Sequence, residues 1–285
     1  MAVREFRGRT VLVTGAGSGL GRAVALRFAA AGAHIVALDK DLAGISALQR
    51  ELEARGAQCL ALPCDVTDAD ACAAAVADGV ARFGALHVLV NNAGISQRSG
   101  FAATDLAVIR RVMEVNFFGA VHCTKAALPH LVAARGLVIT VSSVAGSTPL
   151  IARTGYAASK HALHGFYDSL RTEVAAAGVD VMLACPSFIA TQIDRNALGG
   201  DGLPVRHAQV TTGAPLAAEA VAETIYRGAT KGRRLLLIGR TARQAWWLSR
   251  LAPRLYATLM ARRLRAELES DAATTNKRHD RGPQP

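Results

Sequence analysis

The sequence lacks long apolar runs, cysteine pairs and aromatic residues in number, and each shortage removes a class of function. No stretch of about 18 or more uninterrupted apolar residues occurs, so no membrane-spanning helix is expected. The five cysteines, at 59, 64, 72, 123 and 185, are odd in number and show no CxxC spacing. That pattern argues against a disulfide framework or a zinc cluster and for buried, reduced thiols. The opening MAVREFRGRTVLVTG carries no apolar signal-peptide core, and a cytoplasmic protein is the expectation. Neither an internal repeat nor a linker is visible. The 285 residues, 51% apolar, therefore read as one domain with a large core.

Charge is unevenly spread along the chain. The chain carries a net charge of +11, which taken whole resembles a nucleic-acid binder. Up to residue 226, however, Lys and Arg are almost matched by Asp and Glu, and nearly all the excess falls after it. The basic character belongs to a C-terminal appendage, and no nucleic acid is expected as a partner.

What the sequence does have is a regular order of elements. Short runs rich in Val, Leu and Ile recur as TVLVTG (10–15), HIVALD (34–39), CLALPCD (59–65), HVLVNNAG (87–94), LVITVSS (137–143), DVMLACPS (180–187) and LLLIG (235–239). Unbroken apolar runs indicate strands buried on both faces. Alanine-rich helical stretches lie between them, such as 21–32 and 156–178, with Gly32 and Gly178 placed as helix stops. Strand and helix alternating about seven times predicts an α/β fold, a doubly wound Rossmann fold with a single seven-stranded parallel sheet and helices on both faces. The expected organisation is a domain over 1–240, a basic amphipathic helical extension over 241–269, and a disordered tail over 270–285.

In such sheets function gathers at the carboxyl ends of the strands. The first strand runs into TGAGSGLG, with glycines at 15, 17, 19 and 21, and the second ends at Asp39. Glycines let a backbone approach a pyrophosphate at a helix N-terminus, and the acid can bond ribose hydroxyls. Taken alone, the turn could simply be tight. A carboxylate at Asp39 repels a 2′-phosphate and Ser18 offers no cation, so NAD is favoured over NADP despite Lys40. In GYAASK, Tyr156 and Lys160 stand four apart, on one helical face. A phenol titrates near ~10 in water, and a neighbouring ammonium favours its phenolate, which is how such a pair moves protons near neutrality. Outside this context, Tyr156 could equally be a half-buried helix residue and Ser143 a turn residue.

The ordered set of motifs resembles the short-chain dehydrogenases/reductases over roughly residues 8 to 240. The matching residues are Thr14 to Gly21, NNAG at 91–94, Asn116 in VNFFG, Ser143 in VSS and Tyr156/Lys160. The resemblance implies catalytic roles for four of them. Tyr156 is the acid/base, Ser143 the group that holds the substrate oxygen, Lys160 the ribose and phenol partner, and Asn116 the residue that positions a relay water. It further implies a cofactor site built from Gly15, Ser18, Gly19, Leu20, Gly21, Asp39, Asp65, Val66, Asn91, Ala93, Gly94, Ile189 and Thr191 with Tyr156 and Lys160. It also implies an alcohol dehydrogenase or carbonyl reductase that works as a homodimer or homotetramer. A non-catalytic dinucleotide sensor on the same fold is the alternative. Ser187 stands where the family has glycine, and fits only if its backbone avoids positive φ.

The substrate side is less explicit. Residues 192–214 form an irregular stretch that reads as a substrate loop, with Arg195 and Arg206 able to meet an anion and Phe101 and Phe188 able to line an apolar pocket. His122, His130, His161 and His164 read as solvent or interface residues, and Cys185 as packing. In the tail, Leu248, Leu251, Leu255 and Leu259 share a helical face, Arg243, Arg250 and Arg254 gather on another, and Pro253 divides two helices. Packing on the protein and peripheral contact with a membrane surface are both open for this segment. The tail resembles those of the hydroxysteroid-dehydrogenase-like branch, which implies a steroid or other lipid-like substrate.

Overall fold

The computed structural model describes residues 4–191, 193, 196–205 and 213–262. Seven strands form one sheet, each within an apolar run of the sequence. They are β1 (Thr10–Thr14), β2 (His34–Asp39), β3 (Cys59–Pro63), β4 (Val88–Asn91), β5 (Leu137–Val141), β6 (Asp180–Pro186) and β7 (Leu235–Ile238). The order is β3-β2-β1-β4-β5-β6-β7, and every pairing is parallel. The runs are continuous because alternate residues enter different cores. Val11, Val13, Ile35, Val90 and Ile139 face one, and Leu12, Val36, Leu38, Leu89 and Val138 face the other. Both faces exclude water, so no polar alternation survives in the strand sequences.

The first core is covered by α1 (Gly19–Ala29), α2 (Leu42–Ala54) and α7 (Ala218–Thr230). The second is covered by α3 (Ala69–Phe83), α5 (Gly119–Ala134) and α6 (Thr154–Val174). A shorter α4 (Leu106–Met113) packs on α6. Gly32 and Gly178 adopt φ of +84° and +77° in the turns that close α1 and α6, where a side chain would be strained. Strand order switches from one side of β1 to the other between β3 and β4, and this opens a crevice at the carboxyl ends of β1 and β4.

After β7 the chain does not leave the domain. Helix α8 (Arg240–Leu251) packs against β7 and against the 3-10 turn Val144–Gly146. Ala252 breaks the helix, and residues 253–262 are again helical from Pro253 onward. The expected sharing of faces needs correction. Leu248 is half-buried whereas Leu251, Leu255 and Leu259 are exposed, and Arg243 and Arg250 lie on the exposed side with Trp247. The break at Ala252 resets the helical phase, so spacing across Pro253 does not carry through. No helix among the described residues is long and apolar enough to cross a membrane. Arg195, Arg206 and residues 263–285, the expected tail over 270–285 included, lie outside the described residues.

Candidate active site

The glycine turn is shaped by close approach. Gly15 has φ +65°, and a Cβ there would stand 2.9 Å from the Ala93 Cα. A Cβ on Gly21 would come within 2.0 Å of the Gly15 carbonyl oxygen, so α1 can start beside the turn only with glycine. Ser18 is the N-cap of α1 but makes no side-chain cap bond, and the first turn contains no acid. The first amides of α1 therefore lack a side-chain cap at the positive end of the helix dipole. Together these features fit the pyrophosphate of a dinucleotide. Leu20 is buried beneath the turn.

Asp39 closes this corner. Its carboxylate accepts from the Gly17 amide at 2.9 Å and the Asp41 amide at 3.0 Å, which holds it beside the glycine turn at the end of β2. Asp65 accepts from the amide and hydroxyl of Thr67 at 3.0 and 2.8 Å, and these bonds hold its carboxyl below the usual range, helped by Lys40 and Arg111. Lys40 thus acts on Asp65. Val66 is buried, and its carbonyl accepts from the His122 ring at 3.0 Å if Nδ1 carries the proton.

The two asparagines of NNAG part company. Asn91 turns into the core, where its amide donates to Thr124 Oγ1 and to the Tyr167 hydroxyl, both at 2.9 Å. Asn92 faces the cavity and donates to the carbonyls of Thr14 and Gly15 at 2.9 and 3.2 Å. The side chain that lines the cavity is therefore that of Asn92, while that of Asn91 is turned away from it. Thr14 Oγ1 accepts from the amides of Asn92 and Ala93, both at 3.0 Å, and so ties this turn to β1.

One open cavity collects the chemistry; its empty volume of about 1000 Å³ includes the solvent at its mouth. Its walls include Gly15, Ser18, Gly19, Leu20, Gly94, Ser143, Tyr156, Lys160, Ile189 and Thr191. Asp39, Asp65, Val66, Asn91, Ala93 and Asn116 are not among its walls. Tyr156 lies in the first turn of α6, and the Lys160 ammonium is 5.8 Å from its ring centroid. Lys160 is buried, donates to the Val141 carbonyl at 2.9 Å, and is brought down to about 8 by that burial. Ser143 caps the 3-10 turn after β5, accepting from the Ala145 amide at 3.2 Å.

Asn116 sits in a π-helical turn, Glu114–Phe118, between α4 and α5. Its carboxamide accepts from the Ile95 amide at 2.8 Å and donates to the Ile95 carbonyl and Ser159 Oγ at 3.0 and 2.9 Å. Every polar atom of the side chain is engaged by protein, so it clamps the NNAG turn to the helix that carries Tyr156. Such widened turns recur at functional sites.

Three residues outside the expected set stand in or under the cavity. Arg153, 3% exposed, shares its walls and donates from Nη1 to Ser96 Oγ at 3.2 Å. Ser142 Oγ donates to the Lys160 carbonyl at 3.3 Å and lies 3.0 Å from His164 Nε2. His164 is therefore half-buried on the inner side of α6, while His161 on the same helix remains exposed. Cys185 Sγ is 3.5 Å from His164 Nε2, and burial pushes the thiol up to about 12, so it packs as a neutral thiol. Among the described residues no group of three or more His, Cys, Asp or Glu could hold a metal ion.

Burial holds the His164 imidazole at about 4, against an ordinary 6.5. The unfolded chain thus takes up this proton first as pH falls, and the folded state is weakened between 6.5 and about 4, with no effect above that window. Unfolding by urea should register a loss of about 2 kcal/mol across the window, after a discount for partial exposure. His164→Asn should flatten that limb; an unchanged acid limb would show that the ring is not the group responsible.

The cavity walls also carry the apolar side chains of Val144, Leu150, Phe188 and Ile193. Phe101, by contrast, is 62% exposed and not part of them. Residues 196–205 are tied to the loop after β4 through bonds such as Leu198 N to Ser96 O at 2.8 Å and Arg98 N to Leu198 O at 2.8 Å. Positive φ outside glycine is confined to Arg135 and Ala152 among the described residues, so Ser187 sits in an ordinary backbone region. The serine is tolerated where the family has glycine.

A family model described as short chain dehydrogenase matches residues 9–200. Mouse dehydrogenase/reductase SDR family member 7B is 36% identical over 274 residues, covering 94% of this chain and 85% of that protein. The bovine protein of the same name is 39% identical over 272 residues, covering 93% and 84%. Among solved structures, a short chain dehydrogenase/reductase from Burkholderia phymatum in complex with NAD aligns with a TM-score of 0.79 and 26% identity, over 88% of this chain and 96% of that one. A dehydrogenase/reductase from Sinorhizobium meliloti 1021 aligns at 0.73 and 28%, over 84% and 96%.

Proposed function

The chain belongs to the short-chain dehydrogenase/reductase family, and from that premise we propose that it interconverts a secondary alcohol and a ketone of apolar character. The observation that carries this reading is that Ser143, Tyr156 and Lys160 share one cavity with the glycines of the α1 turn. A nicotinamide dinucleotide bound along that turn supplies or accepts the hydride. The protein's own residues handle the proton. The Tyr156 hydroxyl gives it to, or takes it from, the substrate oxygen, while Ser143 Oγ donates to the same atom and fixes its position. Lys160 favours the phenolate through its charge and presents its ammonium to the ribose hydroxyls. Asn116 is a positioning residue, since its side chain clamps Ile95 to Ser159.

NAD is the proposed form of the cofactor. Its support is the Asp39 carboxylate beside Gly17, a like charge to any 2′-phosphate, together with NAD in the Burkholderia phymatum relative. Asp39→Asn keeps the acceptor for the Gly17 amide and removes the charge. It should shift the ratio of kcat/KM for NADPH over NADH at least ~10-fold towards NADPH, about 1.4 kcal/mol. An unchanged ratio would remove Asp39 from cofactor choice.

Apolar walls at Val144, Leu150, Phe188 and Ile193 support a steroid- or lipid-like substrate. A cytoplasmic homodimer or homotetramer, paired through α5 and α6, is the proposed assembly. The reading is tested by assaying hydroxysteroids, retinoids and simple secondary alcohols, with their ketones, against each cofactor. Turnover of an apolar member with NAD(H) is the expected result. Tight NADH binding with no turnover of any member would favour a dinucleotide sensor instead.

A further inference from the structure

The two C-terminal helices have two unlike faces. Inward, Ala242 and Tyr256 are buried, and the Tyr256 hydroxyl donates to the Pro149 carbonyl at 3.0 Å. This anchors the helices on segment 144–150, from which Val144 and Leu150 line the cavity. Outward, Trp247, Leu251, Leu255 and Leu259 are 56%, 76%, 52% and 38% exposed. Arginines surround them at 240, 243, 250, 254 and 262, residues 240–262 contain no acid, and none of these arginines forms an ion pair among the described residues. The Arg250 guanidinium stacks over the Trp246 ring at 3.9 Å, and the Trp246 and Trp247 rings meet edge to face at 4.8 Å.

We propose that this outward face docks on an anionic phospholipid bilayer, with Trp247, Leu251, Leu255 and Leu259 entering the headgroup boundary and the arginines contacting lipid phosphates. Burying large apolar side chains among cations is the arrangement that favours an interfacial helix. A second copy of the chain is a poorer occupant, because a two-fold contact would set the arginines of one face against those of the other. Nucleic acid is poorer as well, since its phosphates would satisfy the arginines and leave the central apolar side chains in water. Docking this way places the cavity wall 144–150 directly beneath the lipid-facing helices. The proposal stands whatever reaction the cavity performs.

The test uses the full chain and vesicles of phosphatidylcholine, with or without an equimolar share of phosphatidylglycerol. Sedimentation should show binding to the anionic vesicles that weakens with salt, little binding to the neutral ones, and a blue shift of tryptophan emission on binding. Arg243→Gln/Arg250→Gln/Arg254→Gln should weaken anionic binding about a hundredfold, at roughly fivefold per cation. Leu251→Ser/Leu255→Ser/Leu259→Ser should weaken it at least ~10-fold and abolish the blue shift. All the substituted residues are exposed, and an unchanged circular dichroism spectrum verifies the fold. No association with anionic vesicles overturns the proposal, as does association that survives both triple variants. Loss of a dimer in the leucine variant, without vesicle binding by the parent, would identify a subunit interface instead.

Discussion

Replacing Tyr156 by Phe should lower kcat about a thousandfold while leaving the affinity for NADH within about twofold. A positioned proton donor is worth ~10²–10⁴ in rate, so the loss corresponds to about 4 kcal/mol in the barrier. The change deletes one oxygen and keeps the ring. The start of α6 is held by bonds to main-chain carbonyls that do not involve the phenol, from the Ala157 amide to the Arg153 carbonyl at 2.8 Å and from the Ser159 hydroxyl to the Tyr156 carbonyl at 2.8 Å. Lys160 keeps its bond to Val141, and the glycine turn is untouched. Fold and dinucleotide site should therefore survive where the chemistry does not. Steady-state rates on the best substrate and a fluorescence titration with NADH check both halves. A variant that retains more than a tenth of the parent rate would strip Tyr156 of its assignment.

The seven strands are legible in the sequence for a physical reason: a parallel sheet covered on both faces leaves unbroken apolar runs. Helix ends are less so. The α6 helix starts at Thr154, before the tyrosine, and stops at Val174, because the chain needs a turn before Gly178 can take its positive φ. The asparagine pair marks a sharper limit. Leu89 and Asn91 lie on one face of β4 and Val90 on the other, so Asn91 is committed to the core with Thr124 and Tyr167. Asn92 lies just past the strand end and turns back to Thr14. Nothing in NNAG itself says where β4 stops, so spacing cannot choose between them. Arg153, Ser142 and His164 give no local signal of a place at the site, because their partners come from distant parts of the chain, Ser96 and Cys185 among them. Long-range contact leaves no local pattern. The C-terminal helices show the converse. Their amphipathic character is visible in the residues, but which face docks depends on the break at Ala252 and on Tyr256 finding Pro149.

Lys160 should prove to be a residue whose removal strengthens the ligand-free fold and disables the enzyme. Burial lowers its ammonium from an ordinary 10.5 to about 8. Because the folded value lies below the unfolded one, the unfolded chain holds the proton more tightly, and a charged Lys160 weakens the fold. The penalty is complete below about 8, shrinks as pH rises, and is gone above 10.5, so stability climbs with pH through that window. Its size is about 3 kcal/mol, from which the Val141 carbonyl bond recovers roughly 1–2. Lys160→Met fills the same volume without charge. At about pH 7 it should gain 1–2 kcal/mol in urea unfolding and lack the alkaline rise that the parent shows. The same change removes the cation beside Tyr156, so kcat should fall about a hundredfold or more. A variant less stable than the parent, with the alkaline rise intact, would mean that the ammonium is not held at a disadvantage. A gain in stability with loss of turnover would show that the charge is kept beside the phenol for chemistry, at the expense of the fold.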